Sequence, residues 1–238
     1  MKPTGAKNYG SIPHLSNSKL GEGDYRITEG QERILTTKRR DRHDLIIVTE
    51  KYDGSNVGIA KVNGQVVAIT RAGYAARTSP YKQHHMFADW VDDGKWMFSE
   101  MLQNGERLCG EWMAQAHGLK YRIEGSPFVL FDYFTPDNKR VTHEEMLSKV
   151  SDPWVGIKTP RLIHKGDSIS VNAAIKVLCP KIIPPREILS IGYPEGMVYR
   201  VERHGKVDFL AKWVRSDFPT GQYIIDKTED ELTWNVLT

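Results

Sequence analysis

The sequence predicts an α+β fold of antiparallel sheets with helices interspersed, and three observations predict it. Strand-like runs dominate. Two pairs of them are joined by short turns, at Asn63-Gly64 and at His204-Gly205. Hairpins also outnumber the helical crossovers that a parallel sheet needs. The elements follow in order. The first 30 residues carry Gly5, Gly10, Pro13, Gly21, Gly23 and Gly30 and read as an irregular stretch of turns. Residues 1–40 together form a lead-in. Residues 44–51 are apolar and β-branched (Leu45, Ile46, Ile47, Val48, Thr49), which predicts a strand. Residues 57–62 and 65–71 flank Asn63-Gly64, a strong short-range hairpin signal. Residues 84–92 and 96–104 space Met86 and Trp90, and Met97 and Met101, as helices do, with Gly105 as a stop.

Residues 107–114 and 127–134 read as strands. Thr142 with Glu145 three positions on is a capping-box pattern that opens a short helix through Val150. Residues 171–178 form another, ended by Cys179-Pro180. The proline-rich residues 179–185 read as a hinge or loop. Residues 197–203 and 206–214 make the second hairpin. No repeat, low-complexity tract or Gly/Ser linker divides the chain, so a single domain over residues 1–238 is expected.

Composition bounds the function. The chain has 238 residues, room for one large domain at the usual ~100–200 residues each. Hydrophobic residues at 39% and charged residues at 26% argue against wholesale disorder and against a fibre. Apolar runs such as Leu45-Ile46-Ile47-Val48 are four residues long, whereas a membrane helix needs ~20, so no membrane association is expected. The first residues contain no apolar signal region. Cys109 and Cys179 form neither a metal-ligand spacing nor a disulfide framework, which points to a reducing, cytoplasmic compartment. A net charge of +3 permits a local basic face without demanding one.

The sharpest local feature is Glu50-Lys51-Tyr52-Asp53-Gly54-Ser55-Asn56, between two strands. Gly54 allows a tight turn, and the lysine projects from a rigid scaffold. An amine nucleophile needs a neutral lone pair, which neighbouring cations or desolvation favour. Taken alone, Lys-x-Asp-Gly also fits a surface turn. Further elements follow in order: Arg71 in Thr-Arg-Ala-Gly, Glu111 in Cys-Gly-Glu-Trp, Phe131-Asp132 in an apolar run, Glu195-Gly196-Met197-Val198-Tyr199-Arg200, and Leu210-Ala211-Lys212-Trp213-Val214-Arg215.

This ordered set resembles motifs I, Ia, III, IIIa, IV and V of the covalent nucleotidyltransferases, which include RNA ligases, ATP-dependent DNA ligases and mRNA capping enzymes. It is most similar to the RNA ligase family, in its phage-type RNA ligase 2 branch, and spans residues 50–215. The resemblance implies a nucleotidyltransferase core, ATP-grasp-like, of antiparallel sheets with flanking helices. It implies ATP as AMP donor with Mg²⁺ or Mn²⁺, and a nucleic acid with 5′-phosphate and 3′-hydroxyl ends, RNA before DNA. Three in-line displacements at phosphorus are implied: formation of lysyl–AMP, transfer of AMP to a 5′-phosphate, and sealing to a 3′-hydroxyl.

The same resemblance assigns roles. Lys51 is the nucleophile. The backbone around Glu50 reads the adenine edge. Asn56 and Arg71 hold phosphate or ribose, and Glu111 binds the ribose hydroxyls. Phe131 stacks on adenine, Glu195 positions the divalent metal, and Arg200 and Lys212 neutralise phosphates. Two departures stand out. Many members carry Lys-x-Lys in motif V, whereas here Val214 stands two positions after Lys212, and the second charge is either supplied by Arg215 from a shifted position or missing. Only 23 residues follow Arg215, so the core alone is expected, with no C-terminal oligonucleotide-fold domain and with an accessory protein or splint as an aid to substrate binding. Other readings are a DNA nick ligase, a GTP-using capping-type enzyme, and a decayed nucleotide- or RNA-binding module.

Gly21-x-Gly23 lacks the continuation of a phosphate loop. His84-His85 lacks an acidic partner at metalloprotease spacing, and His117 reads as part of a turn. The run Lys38, Arg39, Arg40 and Arg42 reads as a solvated face near Lys51 that can also hold phosphates.

Overall fold

A computed structural model describes residues 1–151, 156–180 and 186–238. In chain order the elements are α1 (Glu29–Thr36), β1 (Asp44–Lys51), β2 (Ser55–Val62), β3 (Gln65–Thr70), α2 (Lys82–Asp93), α3 (Lys95–Met101), β4 (Arg107–Trp112), β5 (Lys120–Ile123) and β6 (Phe128–Phe134). Then come α4 (His143–Lys149), β7 (Leu162–Gly166), α5 (Val171–Leu178), β8 (Ile188–Ile191), β9 (Gly196–Arg203), β10 (Lys206–Val214) and β11 (Val236–Leu237). The expected hinge over residues 179–185 lies mostly outside the described residues. No helix among those described is long and apolar enough to cross a membrane.

Two four-stranded antiparallel sheets carry the molecule, in the orders β10-β9-β1-β7 and β3-β2-β4-β6. A small third sheet, β11-β5-β8, contains a parallel pair, β11 with β5. The α+β fold expected from the sequence is therefore present. Both expected hairpins form. Asn63 and His204 each take a positive φ followed by a glycine with positive φ, as a tight turn between right-twisted strands requires.

Each large sheet packs one face on helices. Under the second sheet, Val57, Leu108 and Leu130 meet Phe87 and Val91 of α2, Phe98 of α3 and Met146 of α4. Under the first, Ile46, Val48 and Val201 meet Leu35 of α1 and Ala174 and Leu178 of α5. The remaining faces of the two sheets border a common cavity.

The lead-in departs from expectation. Asn8, Tyr9, His14 and Leu15 are buried, and Leu15 N–H donates to Lys212 O at 2.9 Å. Its glycines and prolines signal turns, and turns need not be exposed. Within it lies α1, capped reciprocally by Thr28 and Gln31. At α4 only half of the expected capping box forms, with the Glu145 N–H donating to Thr142 Oγ1. Helix α3 stops at Met101 rather than 104, because Leu102 turns extended and buries its side chain.

Candidate active site

Strand alternation selects what the cavity sees. On β1, Ile47, Thr49 and Lys51 face it, while Ile46 and Val48 enter the core behind. Register carries the pattern across the sheet. Thr49 lies opposite Val198 and Val198 opposite Lys212, and Ile47 lies opposite Arg200 and Arg200 opposite Leu210. The other wall brings Asn56 of β2 and Glu111 of β4, which are direct cross-strand partners. Between these walls lies a cavity of about 180 Å³.

Phe131 reaches the cavity through an irregularity. Cys109 pairs with Asp132 and Gly110 with Leu130, so Phe131 is the extra residue of a β-bulge. The bulge leaves it half-buried in an otherwise buried strand. Tyr9 packs edge-on against it, with ring centroids 5.0 Å apart at 73°. Of the β6 residues that line the cavity, Val129, Phe131 and Asp132, Phe131 is the aromatic one.

Lys51 ends β1. Its Nζ donates to Glu195 Oε2 at 2.6 Å, and Glu111 Oε1 accepts from the Gly54 N–H at 3.1 Å. Gly54 is required by proximity: a Cβ there would stand 2.6 Å from Trp112 O and 2.9 Å from Met113 Sδ. Asp53 pins the loop from beneath, its Oδ2 accepting from the Gly118 and Leu119 N–H groups. Lysine, turn and β4 are thus one rigid unit.

Electrostatics here run against the simple expectation of a depressed lysine. Burial pulls the Lys51 ammonium down, but the Glu195 and Glu111 carboxylates together outweigh it, and its pKa rises. Burial pushes Glu111 up to about 7, against the pull of Lys51 and with a push from Glu195. Burial likewise pushes Glu195 up to about 7. Two buried carboxylates face the Lys51 ammonium, and only Glu195 is paired with it, so the site is short of positive charge. No group of three or more His, Cys, Asp or Glu side chains among the described residues forms a metal cage. Glu195 beside Glu111 instead fits the sparse protein ligation of Mg²⁺ or Mn²⁺ carried on phosphate oxygens.

Lys212 Nζ stands 3.4 Å from Asp24 Oδ1. Arg71 is exposed, donates to Ser11 Oγ at 3.2 Å, and borders both the cavity and an adjoining groove of about 650 Å³. Ser55 in that groove meets His84 Nε2 at 2.7 Å, and Ser79 Oγ meets His84 Nδ1 at 2.6 Å. Burial lowers the pKa of His84 to about 4, so it is a neutral spacer there. His117 also borders the groove.

At the opposite end Arg200 is fully engaged. Its Nε donates to Glu202 at 2.9 Å, Nη1 to Asp132 at 2.6 Å and Nη2 to Val141 O at 2.6 Å. Asp132 also accepts from Arg140 at 3.0 Å and from Tyr9. Arg200 therefore braces the Phe131 strand and offers a ligand no uncommitted charge.

Of the residues singled out from sequence, Lys51, Asn56, Arg71 and Glu111 border one cavity. So do Glu50, Phe131, Arg200 and Lys212. Glu195 joins them through Lys51. The Glu50 carboxylate itself pairs with Arg161 at 2.8 Å, which leaves its backbone for the cavity. Arg215 does not stand in for a second lysine: its Nε donates to Pro194 O and it pairs with Asp217, while Val214 is buried. The basic run is not near Lys51. Arg40 pairs with Asp44, at the far end of the eight-residue strand β1. Sequence reading missed Tyr9, Ile12, His143 and Met146, which also border the cavity. None belongs to a motif, and Tyr9 arrives through a pairing of distant segments.

A family model described as RNA ligase matches residues 44–214. No curated protein matches the chain. Among solved structures, an archaeal ATP-dependent RNA ligase aligns with TM-score 0.52 and 18% identity, covering 87% of this chain and 48% of the other. A mutant RNA ligase from Naegleria gruberi, with ATP and Mn, aligns with TM-score 0.54 and 19% identity, covering 87% and 61%. A putative ATP-dependent DNA ligase from Aquifex aeolicus aligns with TM-score 0.51 and 15% identity, covering 87% and 49%. These identities establish shared fold, and this chain spans about half to three-fifths of the length of those proteins.

Proposed function

This chain belongs to the RNA ligase family, and from that premise we propose that it joins RNA ends through a covalent lysyl–AMP formed with ATP at Lys51. One observation carries the reading. A single cavity has an aromatic face at Phe131, a lysine at Lys51, a second cation at Lys212 and a charge-starved carboxylate at Glu111, all on strands, and a second such carboxylate, Glu195, just ahead of β9, pairs with Lys51.

In the proposed reaction the base of ATP lies against Phe131 and the α-phosphate lies between Lys51 and Lys212. The Lys51 ammonium first releases a proton to solvent, and the neutral amine then forms a bond to phosphorus as the bond to pyrophosphate breaks. The AMP then leaves nitrogen for the oxygen of a 5′-phosphate, and a 3′-hydroxyl finally expels it. Lys212 stabilises charge that grows on the non-bridging oxygens. A Mg²⁺ or Mn²⁺ ion at Glu195, when bound, supplies further neutralisation of those phosphates. Glu111, fixed by Gly54, accepts from the ribose hydroxyls, with Asn56 beside it. Arg71, at the junction with the groove, holds phosphate. Arg200 acts by keeping the Phe131 strand in place. The 5′-phosphate and 3′-hydroxyl ends enter along the groove beside Lys51, with RNA the preferred strand.

The test is incubation with ATP labelled at the α-phosphate, with Mn²⁺ or Mg²⁺, followed by denaturing electrophoresis. The expected result is a labelled protein whose adduct survives alkali and is lost in acid, with the label on Lys51. Labelling from GTP alone would replace this reading with a capping-type one. No labelling from either nucleotide would overturn it.

A further inference from the structure

Lys212 is gripped twice by residues 13–27, a stretch whose composition signals only turns. Its backbone is pinned first. The Lys212 N–H donates to Pro13 O at 2.9 Å, and its carbonyl accepts from the Leu15 N–H at 2.9 Å. Residues 13–15 therefore run as an added edge along β10. Residues 25–27 close the other side of that edge: His14 N–H donates to Tyr25 O at 2.8 Å, and Ile27 N–H to His14 O at 2.9 Å.

The side chain is held second. Lys212 Nζ lies 3.4 Å from Asp24 Oδ1. Asp24 Oδ2 accepts from the Gly21 N–H at 3.0 Å and stands 2.9 Å from His14 Nε2, off the line of a hydrogen bond. His14 Nδ1 meets Ser18 Oγ at 2.7 Å, and Ser18 Oγ accepts from the Val214 N–H at 2.9 Å. The chain of contacts begins on the Lys212 side chain and returns to β10 at the backbone of Val214, the position where a second lysine is absent.

These contacts differ in how readily a ligand can displace them. The longest is the one to Lys212, whose side chain is 17% exposed, while His14 is only 2% exposed. An anion in the cavity competes with Asp24 for a single ammonium. When it succeeds, Asp24 keeps Gly21 and His14, and the lead-in need not move. The other charged groups acting on Lys212 are Lys51, which repels it, and Glu195, which attracts it. Neither lies within ion-pair distance of it, so Asp24 is its one carboxylate partner among the described residues.

We propose that Asp24 and His14 are positioning residues for Lys212, a latch that parks its ammonium at the phosphate end of the cavity and yields it to an incoming nucleotide phosphate. The proposal rests on reading the cavity as a nucleotide site. It gives the lead-in a functional role and makes the parked state a tax on nucleotide binding.

The test is calorimetric binding of α,β-methylene ATP, which binds without transferring AMP, in the presence of Mn²⁺. A latch that is closed most of the time lowers apparent affinity by the fraction open, so Asp24→Asn should tighten binding by about threefold to tenfold. Asp24→Glu, which retains the charge, should stay near the parent. In a Lys212→Ala background, Asp24→Asn should change affinity by less than about twofold, because there is nothing left to park. Should Asp24→Asn fail to fold, Asp24→Ser carries the same comparison. Weaker or unchanged binding in the parent background would overturn the latch. So would equal tightening with Lys212 removed, which would mark a general charge effect. Lysine labelling in the parent protein is scored separately: its absence would overturn the nucleotidyl-transfer reading, whereas failure of the latch leaves that reading standing.

Discussion

The two ends of the cavity hold their charges in opposite ways. At the Arg200 end every charge is wired into protein: Arg200 spans Asp132, Glu202 and the Val141 carbonyl, and Arg140 and Tyr9 complete the cover of Asp132. At the Lys51 end the ion pairs are single and partly exposed. Lys51 has one carboxylate partner and Lys212 one at 3.4 Å, with side chains 24% and 17% exposed. A saturated buried network resists removal of any member, because the others are left uncompensated. A single contact can be exchanged for a contact with ligand. An arginine and a lysine facing the same cavity are therefore different objects, and the number of partners already engaged tells them apart.

The comparison can be broken most sharply at Lys51. Lys51→Ala should abolish the labelled adduct, and comparable labelling of the variant would remove the distinction at its strongest point. Next in size is Arg200→Ala, which should cost about 3–5 kcal/mol of stability in urea unfolding by stranding Asp132 and Glu202. Its adenylylation should fall only in step with the folded fraction. A well-folded but inactive Arg200→Ala protein would put catalytic charge at the wired end. Lys212→Ala and Glu195→Ala should each slow adenylylation by ~10²-fold or more, worth ~2.7–4 kcal/mol at the transition state. For Lys212→Ala, thermal unfolding should barely change.

Glu111→Gln sharpens the comparison through pH. The Glu111 carboxyl titrates at about 7 in the folded protein against an ordinary value of 4.5. Between those values the folded state binds the extra proton, so this group's contribution to stability is intact at low pH and lost as pH rises through 7. Glu111→Gln should therefore stabilise the ligand-free protein by the order of 2 kcal/mol at pH 8 and by almost nothing at pH 4. Melting curves at the two pH values check it, and a pH-independent gain would refute the buried-charge account. Smallest is Phe131→Leu, which should weaken ATP binding by about 1 kcal/mol, since stacking contributes ~1–3 kcal/mol per base. Affinity equal to the parent's would move the base away from that face.

Much of this was legible before folding, for identifiable reasons. The hairpins at Asn63-Gly64 and His204-Gly205 announce themselves through local backbone demands, and strand β1 through its apolar, β-branched composition. Lys51, Asn56, Arg71, Glu111, Phe131, Arg200 and Lys212 were legible as an ordered set of motifs, whereas Tyr9, Ile12, His143 and Met146 were not. Helix α1 was missed: Thr28 and Gln31 form its capping pair, but the glycine at position 30 argued for a turn. Strands β5, β7 and β8 span only four or five residues, too few to display alternation. The commitments of Arg200 were hidden because Asp132 and Val141 meet it only through folding. The role of the lead-in was hidden for the same reason: Leu15 and Lys212 are partners from opposite ends of the chain.

The bulge in β6 has a consequence for the kinds of genetic change this protein can survive. The ladder closes around Phe131, pairing Leu130 with Gly110 and Asp132 with Cys109. An in-frame loss of that one codon would leave both pairings intact and turn the bulge into a regular strand. Leu130 would still face the helices and Asp132 would still meet its arginines. The result would be a folded, soluble protein lacking the aromatic face of its cavity. Such a deletion would cost the packing of Tyr9 but not the ladder, and a screen for folding alone would miss what the cavity had lost.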